Sequence, residues 1–240
     1  MNPRRALLWA GVAVVSAWVL VPIWLIAGSS VGGQDLIDTW PKPFWPAHAS
    51  LAQLTDFLAI EGVWHALLIS VEVAVMCMLF SILLGAPAGY ALARFRFRGA
   101  TLFRLMVLLT RAFPVAILAL PFAVLVSASL FQAIPHELEE AAWVFGCSRL
   151  SAALRVVLPL ALPGIVATAI FAFVISWNEV FAASVLTVRN RTLTAYLLAV
   201  LSESPLYMQF TGGFLLIVPS VLFIFLVRKQ LFAMWGIANR

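Results

Sequence analysis

The chain has 240 residues, 64% of them hydrophobic and only 10% charged, and its mean hydropathy is +1.06. Soluble domains keep about a quarter of their residues charged, so a water-soluble globule is excluded and the solvent must be lipid. The net charge of +5 and pI near 9.9 come from scattered arginines, with lysine only at 42 and 229, so the cations are topology signals rather than a nucleic-acid footprint.

A helix that crosses a bilayer needs about 20 mostly apolar residues. Ala6 to Gly28 is the first such run. Arg4 and Arg5 precede it, but its length, Pro22 and the lack of a small-x-small cleavage site favour an uncleaved anchor over a signal peptide. The stretch 29–64 follows as an external loop, in which Pro41, Pro43 and Pro46 with Trp40, Phe44 and Trp45 suit an interfacial crossing. Ala66 to Ala93 is the second span, and it ends in the basic sequence A-R-F-R-F-R-G, which marks the cytoplasmic side. Leu102 to Leu130 makes a further apolar run, Leu160 to Leu186 the next and Phe210 to Val227 the last. Arg228, Lys229 and Arg240 lie beyond the last run, so both termini read as cytoplasmic and an even number of crossings is required.

Five recognisable spans do not satisfy that parity. Only 30 residues separate Arg104 from Pro135, whereas two spans and a turn need more than about 40. The stretch holds either a broken or re-entrant hairpin around Pro114 and Pro121, or a single crossing beside an absent segment.

Residues 134–159 form an acidic-then-basic insertion between apolar runs. Two short helices are predicted. Pro135 suits a first turn, and Glu137, Glu139 and Glu140 oppose the positive helix end. Gly146 supplies a left-handed turn, and Ser148 caps a second helix that stops before Pro159. Ala141 and Ala142 leave a smooth face for docking into a groove of another protein, and the alternative is a solvated interspan loop.

Glu140-Ala141-Ala142, then three residues, Gly146, nine residues, Val156, one residue and Leu158-Pro159 resembles the EAA signature of binding-protein-dependent ABC importer permeases, spacing included. Gly85 to Arg94, Pro163-Gly164, Phe171 to Glu179 and Leu186-Thr187 extend the resemblance to the carbohydrate-uptake branch, on the side of the smaller maltose-type subunit, from about Arg4 to Arg240. It implies an all-α polytopic membrane protein, a single permease domain over 1–240 with six spans and a cytoplasmic coupling loop. It also implies a second permease subunit, two ATP-binding subunits and an external solute-binding protein as partners, in a bacterial cytoplasmic membrane. Glu140, Ala141, Ala142, Gly146, Val156, Leu158 and Pro159 are then the coupling residues. Two features depart from the pattern. Phe145 stands where relatives usually carry an acidic residue, with Cys147 in place of a small alanine, and the middle of the chain is short. The resemblance and the parity count together favour an absent segment of about one span over a re-entrant hairpin.

No phosphate-cradling G-x-x-x-x-G-K-[ST] loop exists, so ATP and magnesium would be used by partner subunits and this chain is neither catalyst nor cofactor carrier. Arg111, Trp177, Asn178 and Glu179 are the candidate translocation-path residues. Asn178 and Trp177 have the chemistry to hydrogen-bond and stack on a sugar ring, while Trp is also common at bilayer interfaces and Glu179 and Arg111 also fit span ends or subunit contacts. With Glu72 these charges make an ion-coupled secondary transporter the alternative. Cys77 and Cys147 are expected as free thiols, and no metal site is expected.

Overall fold

The computed structural model describes residues 3–41, 43–46, 48–95, 99–109, 119–187, 189–200 and 203–234. Among them every regular element is a helix. Four are long and apolar enough to cross a membrane: Arg4–Gln34, Val63–Arg94, Arg149–Trp177 and Leu206–Leu226. The first lies in α1 (Pro3–Asp38), which runs ten residues past the expected start of the external loop and is broken at Gly33, φ 66°. Beyond it the loop folds back: Trp24 Nε1 donates to the Phe44 carbonyl at 3.1 Å, and its ring meets those of Phe44 and Trp45. A short α2 (Ala52–Ala59) leads to α3 (Val63–Arg94).

The expected single run over Leu102–Leu130 is two helices, α4 (Ala100–Leu109) and α5 (Ala119–Ala133). α5 runs parallel to α3. A Cβ on Gly85 would meet Ala123, one on Gly89 would meet Ser127, and Tyr90 packs edge-on against Phe131 at 5.3 Å. Small residues at these crossings let the two backbones touch, as helices in lipid require. Two parallel helices in succession need a return leg between them. The ten residues of α4 rise only about 15 Å, half a bilayer core. Among the described residues four helices are long and apolar enough to cross, or five if α5 and the helix after it count as one bent span, and α4 is too short to add another.

α5 then bends by 69° into α6 (Glu137–Val144), and α7 (Arg149–Ala152) follows. The second helix of this loop was expected to stop before Pro159; instead a π-helical turn, Ala153–Val157, carries it straight into α8 (Leu158–Trp177). The wider turn makes room for a ring that would clash with the preceding turn of an α-helix. At its far end α8 stops at Trp177 rather than running to Leu186, and α9 (Phe181–Leu186) and α10 (Leu193–Val200) fold over that end before α11 (Leu206–Met234).

Two apolar clusters hold the bundle. Ala86, Phe131, Val157, Ala161 and Ile165 join α3, α5 and α8 at the end that bears Arg94. Phe57, Val63, Ala74, Phe173, Trp177 and Leu193 close the opposite end. α1 packs on α11, where the Thr211 hydroxyl donates to the Ser30 carbonyl at 3.4 Å. Cys77 and Cys147 are free thiols.

Candidate functional site

The polar loop forms a helix-turn-helix at the Arg94 end of the bundle. Glu137, Glu139 and Glu140 occupy the first turn of α6, where unpaired N–H groups and the helix dipole favour negative charge. The helix ends in a Schellman arrangement: Gly146 N donates to the Trp143 carbonyl and Cys147 N to the Ala142 carbonyl, both at 2.9 Å. Gly146 sits at φ 89°, the left-handed region a Cβ disfavours. Ser148 then caps α7 by accepting from Ser151 N at 3.2 Å. Local chemistry thus places both the turn and the cap where the sequence puts them.

The residues that the resemblance marks for coupling do not share one surface. Glu140 is exposed over 61% of its side chain, 3.4 Å from His136 Nδ1. Ala141 is exposed but Ala142 is buried, so only one of the two alanines contributes to an outer face. The tip is apolar: Val144 and Phe145 stand out in solvent, Phe145 at 88% exposure, beside exposed Gly146 and Leu150. Val156 lies half-buried in the π-helical turn, Leu158 packs on the Phe131 cluster, and Pro159 is exposed at the start of α8. They shape the entry of the span rather than the outer surface. Trp143 is held between His136, edge-on at 5.7 Å, and the Arg149 guanidinium, 5.5 Å over its ring.

Residues outside the expected set make a buried ion pair at the site. Glu139 is 1% exposed and pairs with Arg94 Nε, while the Tyr90 hydroxyl donates to its other oxygen at 2.9 Å. Arg94 Nη2 also donates to the Ile134 carbonyl at 3.0 Å. The available signal was charge placement: an arginine ending one span and an acidic run opening the polar loop lie at the same membrane end.

At the opposite end, the break after α8 exposes Asn178 and buries Glu179. Asn178 Nδ2 donates to the Val174 carbonyl at 2.9 Å and lies 3.5 Å from Ser220 Oγ. Glu179, 8% exposed, accepts from Ala182 N at 2.8 Å and so holds the first turn of α9, while its carbonyl accepts from the Thr194 hydroxyl. Trp177 is 1% exposed; its ring stacks on Phe173 and its indole N–H donates to the Leu216 carbonyl at 3.0 Å, so within this chain its ring faces are covered. Glu72 lies exposed on α3. Arg111, Pro114, Arg96, Arg98 and Arg240 lie outside the described residues.

Comparison with known proteins places this arrangement. The family described as binding-protein-dependent transport system inner membrane component matches residues 16–231. A putative ABC transporter permease protein of Streptomyces antibioticus is 32% identical over 78% of this chain and 95% of its own length. The trehalose transport system permease protein SugB of Mycobacterium tuberculosis is 25% identical, with 97% of both chains covered. That alignment runs over 268 positions, so it includes positions of the relative that have no counterpart among the 240 residues here. Among solved structures, a chain of a bacterial ABC transporter that imports the acidic polysaccharide alginate shares the fold, with a TM-score of 0.73 at 19% identity over 96% of this chain and 98% of its own.

Proposed function

Because the chain belongs to the binding-protein-dependent transport system inner membrane components, we propose that it lines one half of a path through which a sugar, oligosaccharide or polyol, delivered by an external binding protein, is imported. It is a multi-pass inner-membrane subunit of an ATP-driven importer, and ATP hydrolysis belongs to separate subunits. A second permease completes the path, two ATP-binding subunits dock on the cytoplasmic side, and both termini of this chain face the cytoplasm with the 134–159 loop. Relatives named for trehalose and diacetylchitobiose uptake support the carbohydrate class.

The observation that carries the coupling role is the α6–α7 unit. It is a short helix pair joined by the left-handed Gly146 turn, and it presents Glu140, Ala141, Val144, Phe145 and Gly146 to solvent. A groove in an ATP-binding subunit receives that surface, and Val156, Leu158 and Pro159 pass its motion into α8. ATP binding draws the two motor subunits together, the paired coupling helices move with them as rigid levers, and the spans open outward; hydrolysis resets them. At the outer end, the irregular backbone at Asn178–Val180 supports a path role, since exposed peptide groups at membrane depth persist where they meet protein or a wet cavity. Asn178 and Glu179 are its wall groups, Trp177 supports them from behind, and Arg111 belongs to the same path.

Proteoliposomes containing this chain, its partner permease, the ATP-binding subunits and the binding protein test the proposal. ATP should drive uptake, and Glu140→Lys or Gly146→Pro should stop it while membrane insertion persists. Normal uptake in both variants removes the coupling assignment. Uptake that follows an ion gradient without ATP restores the secondary-transporter alternative.

A further inference from the structure

Successive residues on an α-helix project about 100° apart, and in α6 that rotation sends two neighbouring carboxylates into opposite environments. Glu140 stands in solvent, whereas Glu139 is sealed between α6 and the end of α3. Burying a carboxylate is costly unless it is paired with a cation and its oxygens are hydrogen-bonded. Glu139 meets both conditions through Arg94 on one oxygen and the Tyr90 hydroxyl on the other, and Arg94 reaches on to the Ile134 carbonyl in the elbow between α5 and α6. A loop that only joined two spans through solvent would need no such group.

We propose that Glu139, Tyr90 and Arg94 form a positioning clamp through which displacement of α6 is delivered to α3 and α5, a second mechanical route beside the covalent one through α7 into α8. The proposal rests on the coupling role argued above. Without the clamp, α6 would be held at its 69° elbow only by its packing on α7 and the π-helical turn, and the forward route passes through the Gly146 turn and that π-helical turn before it reaches α8. With the clamp, a push on α6 meets a pair of parallel helices that have no slack between them, because Gly85 and Gly89 already bring their backbones into contact. Packed interfaces of this kind move as bodies rather than deforming. Glu140 is thus left to the partner at the surface while Glu139 holds the helix to the spans.

The complete transporter in proteoliposomes tests the clamp through Glu139→Gln, Tyr90→Phe and the double variant Arg94→Met with Glu139→Met. In the double variant, apolar side chains of similar length replace the buried pair and leave no orphan charge. Each variant should retain the wild-type complement of ATP-binding subunits and basal ATP hydrolysis. Substrate moved per ATP should fall roughly tenfold in Glu139→Gln and the double variant, and roughly threefold in Tyr90→Phe. Wild-type transport per ATP in the double variant overturns the clamp. Loss of the ATP-binding subunits from it does the same, since the cluster would then only support the shape of the loop. If the double variant fails to fold, Tyr90→Phe decides on the same two readouts, because it removes one hydroxyl and keeps the ring against Phe95 and Phe131. A wild-type complex that retains no ATP-binding subunit strikes the coupling role itself, which separates the two failures.

Discussion

A Cβ on Gly89 would lie 2.6 Å from Ser127 Cβ, so the backbones of α3 and α5 touch where these two residues meet. That contact fixes the parallel pairing on which the Arg94 end of the molecule is built. Gly89→Leu should force the helices apart and cost about 1–3 kcal/mol, the usual penalty for overpacking. A thermal unfolding midpoint in detergent equal to that of the unaltered chain would show that the two helices separate freely.

The other half of the same contact makes the opposite prediction. Among the described residues Ser127 Oγ is buried without a hydrogen-bond partner. Ser127→Ala keeps the Cβ that meets Gly89 and removes only the unsatisfied hydroxyl, so stability should rise by about 1 kcal/mol. A lower midpoint would mean that the hydroxyl has a partner in the assembled protein, and it would redirect attention to bound water at that crossing.

Local signals account for what was legible in the sequence. Gly146 as a left-handed turn, Ser148 as a cap and the glutamates of α6 each act within one helical turn, and the apolar runs announce the spans by length alone. What was hidden depends on contacts far apart in the chain. Glu139 reads like Glu140 until α3 brings Tyr90 and Arg94 to it, and Ala142 reads like Ala141 until the bundle covers one of them. Pro159 looks like a helix stop, yet the π-helical turn before it absorbs the ring. The apolar run to Leu186 carries no sign of the break after Trp177, because that break is held by Glu179 and Thr194 across a loop.

Gly146 allows a graded test of the turn. Among the described residues nothing lies within 4 Å of a Cβ built there, so its cost is conformational and not steric crowding. Gly146→Asn should preserve ATP-driven uptake, since Asn visits the left-handed region, whereas Gly146→Val should cost roughly 1–2 kcal/mol and reduce coupling. Equal transport by the two variants would show that the turn does not set the angle of α6.

Topology can be read with single cysteines in a chain lacking Cys77 and Cys147. Leu150 on the polar loop and Leu186 beyond the break after α8 are both well exposed. A membrane-impermeant maleimide should label a cysteine at 186 from outside the cell and one at 150 only after permeabilisation. Labelling at 150 from outside would put the loop on the wrong side for a cytoplasmic ATP-binding subunit.

Glu72 offers a direct test of the proposed partner within the membrane. Its stripe of α3 carries Leu68, Met76, Leu79 and Leu83, all exposed, while the opposite face buries Ala66, Ser70, Ala74, Ser81 and Gly85 against the bundle. Holding a charge against lipid at the centre of a span costs about 2.5–3.5 kcal/mol even by insertion scales, so carboxylates within spans face protein or water. The stripe should therefore lie against the second permease or the wet path between the two. In the assembled complex, a nitroxide at position 72 should be relaxed more by a water-soluble nickel reagent than by oxygen, and Glu72→Leu should insert normally but transport poorly. Oxygen dominating at position 72, together with full transport by Glu72→Leu, would place this face in lipid and leave α3 without a role at the subunit boundary.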